Sequence, residues 1–314
     1  MALELRHLRY LLAVAEHANF TRAAEALHIS QPTLSQQVKQ LERALKVQLL
    51  DRSGRSVRLT DAGEAYAAYA RRALRDLAAG ERAVLDVGDL SRGTLRVAMT
   101  PTFATYLVGR LVADFHARHP GITLDVREMT QARIEAELLD DRVDVGIAFT
   151  GERVAGEGAA GGHAPGIVVT PLFEETLGLV VGPGHPYAER DAGSGPVPLT
   201  SLSGQQLALL SGDFATRRHI DAYFEREGVR PGIAVEANSL GVLVEVVGRG
   251  GLATVLPDPI AAGDGRLRRV PVEPALPART AALLRRDSAY RSAAARAFEE
   301  RVAGWVREEG LRRV

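Results

Sequence analysis

The stretch FTRAAEALHISQPTLSQQVKQLE, residues 20–42, decides the N-terminal fold of this 314-residue chain. Two short helical patterns flank a turn at His28 and Ile29, and the Ser30 hydroxyl can cap the second helix. One face of that helix is apolar, at positions spaced by four, three and four residues: Leu34, Val38, Leu41 and Leu45. The other face carries amides, hydroxyls and a cation, a set able to contact base edges. An ordinary surface helix has the same pattern, so the flanking segments must distinguish a DNA-reading helix from a surface helix.

The segment after this helix, LLDRSGRSVRLTDAG (residues 49–63), places arginines at intervals of three around a Ser53-Gly54 turn. It predicts a two-stranded wing whose arginines lie against phosphates or enter the minor groove. Upstream, Leu5, Leu8, Leu12 and Ala15 predict a further helix. Together these elements predict a winged helix-turn-helix that reads DNA. The expected contact residues are Arg22, Gln31, Pro32, Thr33, Ser35, Gln36, Lys39, Arg52 and Arg55.

The charge distribution supports contact with phosphates at one end of the chain. Residues 1–58 contain nine Lys or Arg and five acidic residues, whereas the whole chain has 39 of each sign. The chain has no cysteine, which excludes disulfides, thiolate metal sites and thiol chemistry. Neither a signal peptide nor an apolar run of membrane length is evident, so we expect no membrane contact and a cytoplasmic location.

Residues 60–91 predict a long helix that joins two copies of the chain. Ala67, Ala70, Leu74, Leu77 and Val84 repeat at spacings close to those of a coiled-coil seam, which Glu81 interrupts. A long helix packed on its own domain is the alternative. A dimer is favoured because winged helix-turn-helix domains commonly read two half-sites.

From Thr94 onward, strands alternate with helices, which predicts an α/β unit with parallel strands. VVTPLFEETLGLVV (168–181) reads as a bent strand pair opening a second lobe, and the last strand and helix complete the first. We therefore expect domains at 1–59, 60–91 and 92–314. The last would comprise lobe I (92–163 and 268–314) and lobe II (164–267), with a ligand cleft between them.

These motifs, taken together, resemble the LysR-type transcriptional regulators over essentially the whole chain. The resemblance is most specific in residues 20–63. VAMTPTFATYLVG, LLSGDFATRRHID and VEANS further resemble the members of that family that control cyanate-degradation operons, whereas the loops at 151–166 and 190–198 look expanded. The resemblance implies a winged helix, a linker helix and a periplasmic-binding-protein-like effector domain. It also implies a homodimer or homotetramer that works with RNA polymerase, as an activator of an adjacent operon.

The resemblance also implies an effector site, and the residue types are suited to a small anion such as cyanate. Hydroxyls and amides stand at several strand-to-helix junctions, where free N–H groups and the helix dipole favour negative charge. The predicted effector residues are Thr100, Thr102, Phe103, Thr130, Gln131, Phe149, Phe214, Ala215, Thr216, Asn238 and Ser239. Helix capping alone could account for Thr102, Thr216 and Ser239.

Two other classes of protein compete with the regulator: a solute-binding receptor, and an enzyme with an appended DNA-binding module. Asp140, Asp141 and Asp144 lie near a strand start, and His116 and His119 lack a third ligand nearby, so no catalytic or metal constellation is evident. We expect no enzyme activity, no cofactor and no metal. A regulator responding to a different small metabolite stays open as the alternative within the family.

Overall fold

The computed structural model describes residues 3–54, 56–85, 90–151, 162–190, 194–309 and 311. The chain forms two compact units, residues 1–85 and 86–314. No helix in these ranges is long and apolar enough to span a membrane.

The N-terminal unit contains the predicted helices and wing. Its elements are α1 (Leu5–His17), α2 (Phe20–Ala26), α3 (Gln31–Leu45), β1 (Leu50–Asp51), β2 (Arg58–Leu59) and α4 (Asp61–Leu85). His28 adopts a left-handed conformation with φ of 55°, which turns the chain sharply between α2 and α3. The apolar face of α3 packs with α1 and α2 around Leu11, Val14 and Leu34. The winged helix-turn-helix prediction is confirmed.

Lobe I of the C-terminal unit is built on a five-stranded sheet. Its elements are β3 (Gly93–Met99), α5 (Pro101–Phe103), α6 (Gly109–Arg118), β4 (Ile122–Glu128), α7 (Gln131–Leu139), β5 (Val145–Phe149), β6 (Ile167–Glu175), β14 (Arg279–Arg286) and α11 (Ala293–Glu308). The strand order is β4-β3-β5-β14-β6, and a π-helical turn, Ala104–Val108, joins α5 to α6. Strands β3, β4 and β5 are parallel, whereas β14 runs antiparallel to β5 and β6. The sheet is therefore mixed rather than parallel throughout.

Lobe II is built on a second five-stranded sheet and a small strand pair. Its elements are β7 (Leu177–Val181), β8 (Val197–Pro198), β9 (Gln206–Leu210), α8 (Ala215–Arg226), β10 (Gly232–Ala237), α9 (Leu240–Arg249), β11 (Ala253–Pro257), α10 (Asp258–Gly263), β12 (Arg268–Val270) and β13 (Val272–Glu273). The strand order of the sheet is β10-β9-β11-β7-β12, and β8 pairs with β13. Each lobe has apolar core clusters on its own sheet.

The predicted boundaries between the lobes are wrong at both crossings. The bent strand pair is two strands in different sheets: β6 belongs to lobe I and β7 to lobe II, with only Thr176 between them. At the second crossing, from lobe II to lobe I, β12 and β13 still belong to lobe II. Lobe I begins again at Arg279, the first residue of β14. The sequence could not reveal this because the partner of β6 is β14, which lies about 100 residues further along the chain.

Candidate DNA-binding surface and interlobe effector site

The outer face of α3 is exposed and its N-terminus is capped. The backbone N–H of Thr33 donates to the Ser30 hydroxyl over 3.3 Å, and the two side-chain hydroxyls lie 2.7 Å apart. The exposed residues are Gln31, Pro32, Thr33, Gln36 and Lys39, and Ser35 is partly exposed. Among the predicted DNA-contact residues of α3, Thr33 already shares a hydrogen bond with Ser30. Gln36 and Lys39 are therefore better placed to contact DNA.

Arg52, predicted to contact DNA, also has partners within its own unit. Its guanidinium lies 2.7 Å from a carboxylate oxygen of the buried Glu42 and over the ring of Phe20. The other Glu42 oxygen accepts the backbone N–H groups of Leu49 and Leu50. Arg52 therefore helps to fix the base of the wing on α3. Arg22 is exposed, and Arg55 lies outside the described residues.

The predicted seam on α4 divides between two faces of the helix. Ala67 and Ala70 are buried within the N-terminal unit, and Leu74 is partly buried. Leu77 and Val84 are 46% and 81% exposed, and Tyr69, which the predicted seam does not include, is 73% exposed. Tyr69, Ala73, Leu77, Gly80 and Val84 follow helical spacings of four and three, and we call them the α4 stripe.

In the C-terminal unit, the two segments that cross between the lobes are joined by a buried ion pair. Glu175 ends β6 and lies directly opposite Arg279, which begins β14. The Arg279 Nε donates to a Glu175 carboxylate oxygen over 2.7 Å, and Nη2 lies 2.5 Å from that oxygen. Both side chains are almost fully removed from solvent, at 3% and 1% exposure.

Three further side chains complete this cluster, which we call the hinge cluster: Glu175, Arg279, Tyr106, Phe149 and Thr216. The Tyr106 hydroxyl donates to the second Glu175 oxygen over 2.7 Å, and Arg279 Nη1 donates to the Thr216 hydroxyl over 2.8 Å. The guanidinium carbon lies 3.6 Å from the centroid of the Phe149 ring, a cation–π contact. Burial raises the pKa of Tyr106 well above its usual range, so this hydroxyl stays protonated and donates.

Helix α8 holds the second crossing segment along one face. Thr216 binds Arg279, the His219 ring nitrogen Nε2 lies 3.0 Å from the Pro277 carbonyl, and the Tyr223 hydroxyl donates to the Pro274 carbonyl over 2.5 Å. The three positions are three and four residues apart, so they lie on one side of the helix. A movement of α8 would therefore be transmitted to this crossing.

The predicted effector residues fall into two groups by exposure. Thr100, Thr102, Phe103, Phe149, Phe214 and Thr216 are buried. Thr130, Gln131, Ala215, Asn238 and Ser239 are at least partly accessible. Only Phe149 and Thr216 belong to the hinge cluster. The Gln131 amide donates to the Phe149 carbonyl over 3.1 Å, so Gln131 positions the strand end that carries the ring beneath Arg279.

Simple capping does not explain the hydroxyls at these helix starts. Thr100, Thr130 and Ser239 occupy N-cap positions of α5, α7 and α9, yet none makes a side-chain capping hydrogen bond. Thr216 lies inside α8 and accepts from Arg279. The Thr100 and Thr102 hydroxyls lie 3.3 Å apart. Polar groups thus remain available at the helix starts.

Sequence reasoning missed Arg279, Glu175 and Tyr106. The signal present was charge at the end of each of two apolar strands: Glu174 and Glu175 after Phe173, and Arg279 before TAALL (280–284). Charges at strand ends are common, so this signal acquires meaning only from the pairing of β6 with β14. Across the described ranges, no group of three or more His, Cys, Asp or Glu side chains could hold a metal ion.

Two family models cover most of the chain. The helix-turn-helix model of the bacterial lysR regulatory proteins matches residues 5–64, and the LysR substrate binding domain matches residues 88–307. The chain belongs to the LysR family of transcriptional regulators. Its α/β unit is the two-lobed, periplasmic-binding-protein-like effector domain that the resemblance implied.

Relatives of this LysR-family chain carry several names. A "Hydrogen peroxide-inducible genes activator" of Dickeya chrysanthemi is 31% identical over 85% of this chain and 82% of that protein. A "Probable RuBisCO transcriptional regulator" of Nostoc sp. is 31% identical over 95% of this chain and 87% of that protein. A solved full-length OxyR of Pseudomonas aeruginosa, a variant with aspartate in place of one cysteine, covers 98% of this chain and 95% of its own, with 26% identity and a TM-score of 0.67. These names give no support to cyanate as the effector.

The hinge ion pair should be strongly coupled in stability. Arg279→Met or Glu175→Leu alone should lower the free energy of unfolding by about 3–5 kcal/mol, because each leaves a buried charge without its partner. The double variant should lose clearly less free energy of unfolding than the sum of the losses in the two single variants. Urea unfolding followed by fluorescence of Trp305, the only tryptophan, reports on this unit. Additive losses would contradict the coupling. Arg127→Met, which breaks the exposed pair with Asp125, serves as control and should cost at most about 1 kcal/mol.

Proposed function

We propose that this LysR-family regulator binds promoter DNA through α3 and its wing and responds to a small molecule held between its two lobes. The observation that carries the first part is the capped α3 with its exposed polar face, in a chain whose first 58 residues carry an excess of four positive charges. We infer that it acts with RNA polymerase, in the cytoplasm, as an activator of an adjacent operon rather than as an enzyme. Double-stranded DNA is then its macromolecular ligand.

Assembly through the α4 stripe is part of this proposal. Tyr69, Leu77 and Val84 expose a continuous apolar surface on a helix of 25 residues. A second copy of the same helix would cover it, and a pair of N-terminal units could read two half-sites. Pairs of such dimers would form the homotetramer.

For the effector, we propose a small polar molecule bound at the accessible helix starts of Thr130 and Ser239. Cyanate, a linear anion, is one molecule of this class, and the N-cap hydroxyls of α7 and α9, which make no capping hydrogen bond, support it. Arg279 does not add to the attraction for an anion because Glu175 already neutralises its charge. The support for cyanate therefore comes from helix dipoles and hydroxyls.

Hydrogen peroxide, the signal in the name of one relative, is less suited to this chain. The OxyR structure named above carries a replaced cysteine, whereas this chain contains no cysteine. Reversible peroxide sensing by a protein thiol passes through a thiolate and a sulfenic acid, and that route needs a cysteine. A non-oxidative ligand is therefore favoured.

The base-reading role of α3 can be tested with Gln36→Ala. This change should weaken binding to a site selected from random DNA by about 1–3 kcal/mol, while binding to non-specific DNA stays the same. Gln206→Ala, an exposed amide in the C-terminal unit, is the matched control and should change neither affinity. Equal losses on both DNAs in a mobility-shift titration would assign Gln36 to backbone contact instead.

The proposed dimer surface predicts that Leu77→Glu and Val84→Glu together shift the chain toward monomer, because charges would enter an apolar seam. Ala68→Glu adds one such charge on the opposite side of α4 and should leave assembly unchanged. Sedimentation velocity distinguishes the species. An unchanged oligomer in the Leu77/Val84 variant would remove α4 from the interface.

The effector proposal predicts that millimolar cyanate or azide raises the melting temperature and changes the DNA footprint, whereas chloride does neither. Thr130→Val should weaken that response by about 1–3 kcal/mol, because a hydroxyl partner is lost in a desolvated cleft. Thr123→Val, on an exposed strand position, is the control. If both linear anions fail with the wild type while DNA binding is intact, cyanate is wrong and the regulator proposal is unaffected.

A further inference from the structure

A cavity lies between the two lobes, and it is separate from the residues proposed for the effector site. It has a volume of about 580 Å³ and is bounded by the π-helical turn, α6 and the end of α11 from lobe I, and by α9 and α10 from lobe II. None of the predicted effector residues lines it. Its size falls within the range of small-molecule pockets in proteins.

The walls of this cavity are mainly apolar. Its apolar lining residues are Ala104, Val244, Pro259, Ile260, Trp305 and Leu311. Trp305 is only 7% exposed, and its indole N–H has no hydrogen-bond acceptor among the described residues. Pockets with apolar walls and few polar groups take mostly apolar ligands.

The charged residues at the cavity are already paired with other protein groups. Arg110 lies 3.4 Å from Glu309, and Asp264 accepts from Arg266 over 2.7 Å. Hydrogen bonds from Arg266 lower the pKa of Asp264 to about 2, so it stays ionised beside its partner. An ionic ligand would have to lose its hydration without finding a free counter-charge.

Tyr106 connects this cavity to the hinge cluster. Its side chain lines the cavity, packs against core clusters of both lobes, and donates its hydroxyl to Glu175. Tyr106 lies within the π-helical turn, an uncommon form of helix that is frequent at functional sites. An occupant of the cavity would therefore touch both lobes and the residue that binds the hinge ion pair.

We propose that this cavity is a second ligand site, which takes a neutral, largely apolar small molecule such as a cyclic alcohol or ketone. Binding there would hold the two lobes in one arrangement from the side of α6, α10 and α11. A ligand at this site would be a second effector of the regulator, distinct from a polar effector at the helix starts.

The only tryptophan of the chain, Trp305, lines this cavity, so its emission reports binding directly. Full-length protein without DNA is titrated with cyclohexanol, cyclohexanecarboxylate and cyclohexylamine, none of which absorbs where tryptophan is excited. We expect a saturable change in emission with cyclohexanol and a response at least about tenfold weaker with the two ions, since their charge finds no free partner.

Two blocking variants enter the cavity from opposite lobes. Gly109 of lobe I and Gly263 of lobe II both line it, and a Cβ at either position would meet no atom within 4 Å. Gly109→Leu and Gly263→Leu should each abolish the cyclohexanol response by filling the space, with folding checked by circular dichroism. Gly195→Leu, at an equally open position that does not line the cavity, is the control and should respond like the wild type.

Each outcome of this titration decides the proposal. Saturable binding of cyclohexanol that both blocking variants lose supports it. No saturable change in the wild type, an unchanged response in a folded blocking variant, or tighter binding of either ion overturns it. Because the experiment contains no DNA and no cyanate, its result is independent of the proposed regulatory function.

Discussion

The buried ion pair between Glu175 and Arg279 is the interaction on which the two-lobed unit depends. Desolvating two charges costs several kcal/mol per ion, and their attraction repays this only where the remaining hydrogen-bonding groups are satisfied. The Tyr106 hydroxyl from lobe I donates to one Glu175 oxygen, the Thr216 hydroxyl from lobe II accepts from Arg279 Nη1, and the Phe149 ring covers the guanidinium. Both lobes therefore contribute partners to the pair, so a change in their arrangement would remove some of them.

This arrangement relates the predicted effector residues to the hinge. Thr216 lies in the first turn of α8, which holds the second crossing segment, and Gln131 fixes the strand end that carries Phe149. A ligand that moves the start of α7 or α8 would alter the partners of Arg279, although it need not touch that residue. Small displacements matter here, because a buried guanidinium has no water to replace a lost acceptor.

The sequence predicted those features that depend on neighbouring residues. The Ser30 cap, the turn at His28, the wing and the apolar face of α3 follow from local spacing, and all appear in the structure. Features that depend on distant residues were missed or misassigned: the pairing of β6 with β14, the partner of Arg52, and the lobe to which β12 belongs. On α4 the helix itself was predicted, but the repeat could not tell which face packs on α1, and Ala67 and Ala70 of the predicted seam are buried.

Membership of the LysR family does not carry over the signal that a relative detects. Relatives about 31% identical to this chain are named for hydrogen peroxide and for RuBisCO genes, although the two-lobed fold is shared. A fold fixes where a ligand can bind, whereas the side chains there decide what binds. In this chain the N-cap hydroxyls of α7 and α9 make no capping hydrogen bond, Glu175 neutralises the Arg279 guanidinium, and the sequence contains no thiol. That chemistry supports the proposed reversible binding of a small polar molecule rather than oxidation of a thiol.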